Sequence, residues 1–126
     1  MREQSQKRIG EIAQPVARGL GGSAEVEYRR GYPSTVNTEK EAVFAAKVGE
    51  KVFGKGNVVT DGEPTMGGED FSYMLQAKPG AYVFLGQGGP QCGCFLHNPG
   101  YDFNDEVIPL GAGYLAALVE ESLPLK

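Results

Sequence analysis

Two spacings of apolar residues alternate along this chain, and that alternation restricts its fold more than any other feature of the sequence. Residues 2–20 carry apolar side chains at intervals of three or four, as on one face of a helix: Ile9, Ile12, Val16 and Leu20. Gly21 follows as a stop signal, and Pro15 predicts a kink or a division because its nitrogen cannot donate a hydrogen bond. Residues 23–30 then alternate apolar and charged side chains, which predicts a half-buried strand.

Three more helices are predicted further along the chain. They cover about residues 38–53, 69–76 and 106–123. Thr38 and Glu41 have the spacing of a capping box, in which each side chain bonds the backbone amide of the other residue. Asn104 with Asp105 provides the cap of the last helix.

Short runs of strand type lie between these helices. Residues 57–60 predict a short strand, and the continuous apolar run of residues 81–85 predicts a strand buried on both faces at the centre of a sheet. The whole pattern predicts an α/β or α+β fold. A boundary between two parts is predicted at residues 31–36, where an edge-like helix and strand give way to a more buried pattern.

Composition and charge exclude several classes of function. The 126 residues carry a net charge of −4, with basic residues scattered among acids, so nucleic acid is not an expected partner. No apolar run approaches the roughly 18 residues of a membrane span. The polar start of the chain has no export signal, so we expect a cytoplasmic protein without a membrane partner. Cys92 and Cys94, with one residue between them, are expected to be free thiols.

Three segments combine glycines, acids and the chain's histidine in one order. They are residues 31–37 (GYPSTVN), 66–71 (MGGEDF) and 96–105 (LHNPGYDFND). In this order and spacing they resemble the C-terminal part of hippurate hydrolases and N-acyl-amino-acid amidohydrolases, a family of metal-dependent amidohydrolases and peptidases. The Pro79-Gly80 turn, the FLG of residues 84–86 and the Gly111-Ala112 pair extend the resemblance over essentially the whole chain.

The resemblance implies a fold and a reaction. Members of that family have an α/β catalytic domain that holds two divalent metal ions, zinc or manganese, and an inserted lid with a ferredoxin-like sheet. Residues 1–33 would be the last helix and strand of the lid and dimerisation domain, and residues 34–126 the C-terminal part of the catalytic domain. The complete enzyme would hydrolyse the amide bond of a small N-acyl amino acid, and a homo-oligomer is expected.

His97 matches the family's C-terminal metal ligand. A neutral imidazole is a common donor to zinc, and His97 is the only histidine in the sequence. The alternative is a histidine hydrogen-bonded at a loop edge. The family's other ligands and its general base lie upstream of the matched segments, and a catalytic zinc takes three protein ligands. We therefore expect this chain alone to hold no metal ion and to be inactive.

The loop around Gly68, Glu69 and Asp70 resembles an active-site loop of the family and is expected to bind substrate. Its glycines allow close approach of the backbone, and amides at the start of the following helix could receive a carboxylate or an oxyanion. The alternative is plain helix capping by the two acids. Asn37, where the family chain returns from the lid, is expected to be a hinge, with capping or an Asx-turn as the alternative.

The sequence also bears on phosphate loops, on a second metal site and on one competing class of function. The glycines of residues 54–56 and 86–93 lead towards strands, whereas phosphate loops open a helix. Cys92, Cys94 and His97 could offer donors to a soft metal, but three donors so close together rarely complete a tetrahedron. The competing class of function is a non-catalytic module that associates with itself through the unpaired strand of residues 23–30.

Overall fold

The protein is described by a computed structural model that covers residues 1–88 and 93–124. The chain divides into two compact units, residues 1–31 and 32–126. The helices are α1 (Arg2–Gly19), α2 (Glu39–Phe53), α3 (Phe71–Ala77) and α4 (Ile108–Ser122), with short 3₁₀ turns at Lys55–Asn57 and Asp105–Val107. None of the helices in these ranges is long and apolar enough to cross a bilayer.

The first unit consists of α1 and residues 20–31, which follow it and contain no further helix or strand. The helix runs unbroken through Pro15, so the predicted division at that residue is wrong. Proline removes one donor, and the hydrogen bonds of the neighbouring turns keep the helix continuous. The predicted stop is confirmed, because the Gly22 amide donates to the Ala17 carbonyl at 2.8 Å and Gly21 has a φ of +78°.

No strand is present in the described residues, so the structure does not confirm the predicted α/β sheet or the ferredoxin-like lid. The three predicted strands at residues 23–30, 57–60 and 81–85 have extended or irregular backbone without a ladder partner. The predicted burial of residues 81–85 on both faces is also wrong, since Phe84 is 75% exposed. A run of this type becomes a buried strand only where neighbouring strands and helices cover it.

The core of the second unit lies between α2 and α4, which pack against each other. Val48 is 2% exposed and Tyr114 7%, and the Tyr114 ring lies 5.4 Å from that of Phe53. The Tyr114 hydroxyl donates to the Ala45 carbonyl at 3.0 Å, so this buried polar group is satisfied. Burial raises the pKa of the Tyr114 hydroxyl.

Glycine permits the closest approach to this core. A β-carbon on Gly49 would lie 3.3 Å from Val58 Cγ2 and 3.7 Å from Tyr114 Cε2. On α4, a β-carbon on Gly111 would lie 3.2 Å from Leu85 Cδ2. The two glycines therefore let residues 58 and 85 pack directly on the helices.

The predicted capping box at the start of α2 is wrong. Thr38 is the residue before the helix, but its side chain does not cap it. Its Oγ1 accepts from the Gly80 amide at 2.8 Å and donates to the Gly80 carbonyl at 3.1 Å. The Thr38 amide also donates to the Gly80 carbonyl, at 2.9 Å, so this long-range contact uses the groups that a capping box needs.

The other predicted helices are close to the observed ones. α3 starts two residues later than predicted, at Phe71, and α4 follows the 3₁₀ turn Asp105–Val107 instead of including it. The Asn104 side chain accepts from the Glu106 amide at 3.1 Å and so caps the 3₁₀ turn, whereas α4 itself begins after Val107 without a side-chain cap, which differs from the predicted cap of the last helix.

Candidate functional site

Glu69 is held by two different donors at the start of α3. Its Oε1 accepts from the Phe71 amide at 3.2 Å, and its Oε2 accepts from the Tyr82 hydroxyl at 2.9 Å. The backbone of Glu69 is also fixed, because its carbonyl accepts from the hydroxyl of Ser72 at 2.6 Å. Ser72 is 0% exposed, so this bond anchors the carboxylate-bearing residue to the interior of the unit.

The ionised form of Glu69 is favoured by these contacts. The hydrogen bond from the Phe71 amide, followed by that from the Tyr82 hydroxyl, lowers the pKa of the Glu69 carboxyl. Its contribution to stability is therefore present above the unfolded pKa of about 4.3 and is lost as pH falls through the folded pKa. Donation to Glu69 raises the pKa of the Tyr82 hydroxyl, with burial acting in the same direction. At neutral pH the pair is thus a carboxylate bonded to a neutral phenol.

Asn37 fixes the backbone at Tyr82. Its Nδ2 donates to the Tyr82 carbonyl at 2.9 Å, and its Oδ1 accepts from the Tyr82 amide at 2.7 Å. One side-chain amide thus satisfies both backbone groups of residue 82, as an opposing strand residue does in an antiparallel ladder. The Asn37 side chain is used in this long-range pair and not in an Asx-turn. Its role as a hinge stays a prediction.

Gly68 lies beneath an aromatic ring. A β-carbon at this position would be 3.3 Å from Tyr32 Cδ2, so a larger residue would displace the ring. The Tyr32 ring in turn meets that of Tyr73 edge-on, with 5.9 Å between centroids. Asp70 is exposed, and its side chain makes no capping bond to α3. Of the two acids, only Glu69 caps the helix, and Asp70 faces solvent.

His97 lies in a separate turn. The Asn98 amide donates to the Phe95 carbonyl at 3.2 Å, and within this turn His97 has a φ of +69°. It is the one residue other than glycine with a positive φ in the described ranges, a conformation that costs an L-residue roughly 1–2 kcal/mol. Such strain persists where surrounding structure or function requires it. The imidazole is exposed.

The segment after this turn is held by Gln87. The Gln87 Nε2 donates to the Asp102 carbonyl at 3.2 Å, and the Asn104 side chain donates to the Gln87 carbonyl at 3.2 Å. These bonds tie the end of the apolar run to the residues that lead into α4. Asp102 contributes its backbone here, and its carboxylate is exposed.

The structure joins some of the predicted residues and leaves others apart. Asn37 and Glu69 are connected through Tyr82, and Gly68 and Asp70 flank Glu69. Within residues 1–88 and 93–124, no group of three or more histidine, cysteine or acidic side chains could hold a metal ion. Cys94 is a half-buried free thiol. Cys92 and residues 89–91 of the glycine-rich loop before it lie outside the described residues.

Tyr82 was missed by the sequence analysis. It lies in the apolar run of residues 81–85 that was interpreted as a buried strand. Its hydroxyl was the available signal, because a phenol in an apolar run needs a hydrogen-bond partner. Which partner it finds depends on the tertiary fold and is not encoded in local spacing.

Comparison with known proteins identifies the family. Residues 3–121 match the sequence pattern of Peptidase family M20/M25/M40. The match extends over nearly the whole chain, so the protein belongs to this peptidase family. The resemblance predicted from the three segments is therefore confirmed.

Curated relatives include amidohydrolases and peptidases. YhaA of Bacillus subtilis, whose name assigns it provisionally to the amidohydrolases, is 33% identical over 118 residues, which are 92% of this chain and 30% of that protein. Hippurate hydrolase of Campylobacter jejuni is 29% identical over 117 residues, 93% of this chain and 30% of that protein. Thermostable carboxypeptidase 1 of Saccharolobus solfataricus is 30% identical over 115 residues, 89% of this chain and 28% of that protein.

The chain thus spans about 30% of the length of the curated relatives that it matches. No solved structure matches it.

Proposed function

We propose that these residues form the C-terminal part of a metal-dependent amidohydrolase that cleaves the amide bond of small N-acyl amino acids. The match of residues 3–121 to the peptidase family carries this proposal. Relatives named hippurate hydrolase and N-acetyldiaminopimelate deacetylase support an N-acyl amino acid as the substrate class. Residues 1–33 would belong to the lid, with Asn37 as its hinge, and residues 34–126 to the catalytic domain.

In this proposal the loop of Gly68, Glu69 and Asp70 binds donors on the substrate. The amide of Phe71 already bonds Glu69, so it is not free for a substrate carboxylate. The loop instead offers two carboxylates, one oriented by Tyr82 and the other exposed at Asp70. Such a surface accepts an amide N–H or an ammonium group and repels an anion. Substrate carboxylate recognition is therefore assigned to another part of the complete enzyme.

His97 is the metal ligand that this chain would supply. An exposed imidazole on a backbone held in a strained turn suits a ligand whose direction must be fixed. One histidine does not make a metal centre, and zinc or manganese would need further ligands from residues outside this chain. When bound, a pair of such ions would acidify a water and polarise the scissile carbonyl.

The first test is activity of the 126-residue chain. We expect no hydrolysis of hippurate or acetyl-amino acids, with or without added zinc or manganese, because a single histidine cannot complete the site. The measurement is release of the free amino acid, with the metal salt alone as the blank. Turnover above that blank which disappears in His97→Asn would contradict the expected inactivity of the chain alone.

A second candidate function is a non-catalytic module that associates with itself. The exposure of apolar side chains favours this second function. In the described ranges the buried apolar side chains are Ala45, Val48 and Tyr114. Many others remain exposed, among them Phe84 and Leu115. Apolar side chains left exposed to water in this way favour burial against another surface.

We accordingly expect the chain to self-associate at tens of micromolar, whichever function it serves. Burying exposed apolar side chains between copies contributes roughly 25 cal/mol per Å², which favours association. Multi-angle light scattering coupled to size exclusion measures the mass directly. A strict monomer over this concentration range would exclude the self-associating module.

A further inference from the structure

We propose that Tyr82 is a positioning residue for Glu69, which it holds in one orientation by its hydroxyl, while Asn37 fixes the backbone from which Tyr82 projects. This inference rests on the proposed role of Glu69 in substrate binding. It adds Tyr82 from the apolar run to that site and gives the predicted hinge residue, Asn37, a structural role in it.

The two donors to Glu69 differ in what they can fix. The Phe71 amide is two residues away and bonds Oε1 at 3.2 Å as part of the start of α3. The adjacent Asp70 is a further local hydrogen-bond partner of Glu69, so the local contacts all come from the start of α3. The Tyr82 hydroxyl comes from 13 residues further along and bonds Oε2 at 2.9 Å. With both oxygens bonded from different directions, the plane of the carboxylate is defined.

The ring of Tyr82 is itself held from two sides. Its centroid lies 5.4 Å from that of Phe71, with the planes at 46°, and 5.3 Å from that of Phe84, at 87°. Aromatic pairs at these separations attract each other in addition to burying apolar surface. The position of the Tyr82 hydroxyl oxygen is therefore set by packing before any substrate arrives.

Asn37 completes the chain of contacts. Its side-chain amide bonds both backbone groups of residue 82 across 45 positions of sequence, at 2.9 and 2.7 Å. Because both bonds come from one planar side-chain amide, they fix the position and the orientation of the residue 82 backbone. Asp70 is the charged neighbour of the pair, and its negative charge disfavours ionisation of Tyr82, so the phenol stays a donor. A substrate N–H thus meets an acceptor that is already oriented.

The test compares two substitutions that each remove one hydroxyl. Tyr82 and Tyr101 are both half-buried and each stacks edge-on against a phenylalanine two residues later, at 5.3 and 5.0 Å. Only Tyr82 bonds Glu69. Tyr101→Phe is therefore the matched control for Tyr82→Phe, since both variants keep the ring and its packing.

The measurement is a pH titration of the Glu69 carboxyl carbon by NMR in the 126-residue chain. In Tyr82→Phe the midpoint should rise towards that of an ordinary glutamate, and in Asn37→Ala it should move in the same direction. Tyr101→Phe should titrate as the wild type. A Glu69 midpoint in Tyr82→Phe equal to that in the wild type would overturn the proposal, as would an equal rise in Tyr101→Phe.

A reciprocal measurement keeps the test valid if Tyr82→Phe does not fold. In Glu69→Gln, the titration midpoint of the Tyr82 ring should fall, because the carboxylate that stabilises the neutral phenol is gone. An unchanged Tyr82 midpoint would refute the pairing. These titrations need neither substrate nor metal, so they succeed or fail independently of the proposed activity. That activity is tested by the effect of Glu69→Gln on KM in a protein that joins these residues to the remaining metal ligands.

Discussion

Replacing His97 by asparagine should remove bound metal and lower kcat/KM by at least about 100-fold in a protein that joins these residues to the remaining ligands. Loss of a residue that only orients a metal ligand lowers metal affinity or activity by about 10–100-fold. Loss of the ligand itself should lower them further. Asparagine is chosen because it tolerates the positive φ of residue 97, whereas alanine would keep the backbone strain and confuse the result. Metal content by elemental analysis and steady-state kinetics are measured on the same samples.

The control for this experiment is Glu69→Gln. A residue that binds substrate should raise KM or lower kcat while the metal content stays near normal. His97→Asn with full metal content and unchanged kcat/KM would exclude the ligand assignment. His97→Gly adds a stability readout, because relief of the left-handed strain should stabilise the fold by roughly 1 kcal/mol while activity is lost. A gain in stability that accompanies a loss of activity is typical of strain retained for function.

The helices could be predicted from sequence because their signals are local. Apolar intervals of three or four residues located α1 and α2, and Gly54 ended α2 as glycine does after many helices. A local signal gave a wrong prediction at Thr38, whose spacing to Glu41 fits a capping box. There the hydroxyl and amide bond Gly80, 42 residues away, and no local pattern reports a partner at that distance.

The strands could not be read in the same way, because a strand is defined by its partner. Residues 81–85 have the composition of a buried strand, but in the described residues side chains of Asn37 and Thr38 take backbone bonds that a neighbouring strand would form. The run forms no strand in the described residues and is exposed at Phe84. Composition alone therefore did not predict its environment.

The same difference between local signals and long-range contacts applies to the candidate site. Gly68, Glu69, Asp70 and His97 were singled out because the contiguous segments that contain them resemble those of the family. Tyr82 was not found, since its relation to Glu69 exists only after the chain has folded. The sequence thus identified the residues proposed to bind substrate or metal, and the structure was needed for the residue proposed to orient one of them.

Tyr114→Ala should lower the free energy of unfolding of the second unit by about 3–5 kcal/mol. Since typical domains are stable by about 5–15 kcal/mol, this loss should unfold the unit or leave it barely stable. The reason is that Tyr114, only 7% exposed, fills the space between α2 and α4, where it contacts Phe53 and Gly49. Urea unfolding followed by circular dichroism at low protein concentration measures this loss.

Two variants of the same helix locate the cause. Leu115→Ala removes a neighbouring side chain that is 63% exposed and should change stability by less than about 0.5 kcal/mol. Tyr114→Phe keeps the ring and removes only the bond to the Ala45 carbonyl, a loss of about 0.5–1.5 kcal/mol. Because burial raises the folded pKa of Tyr114, the stability it contributes is present below the unfolded pKa of about 10 and is lost as pH rises through the folded value. The stability of Tyr114→Phe should therefore be less sensitive to alkaline pH than that of the wild type. Equal losses of unfolding free energy in Tyr114→Ala and Leu115→Ala would exclude a core between α2 and α4.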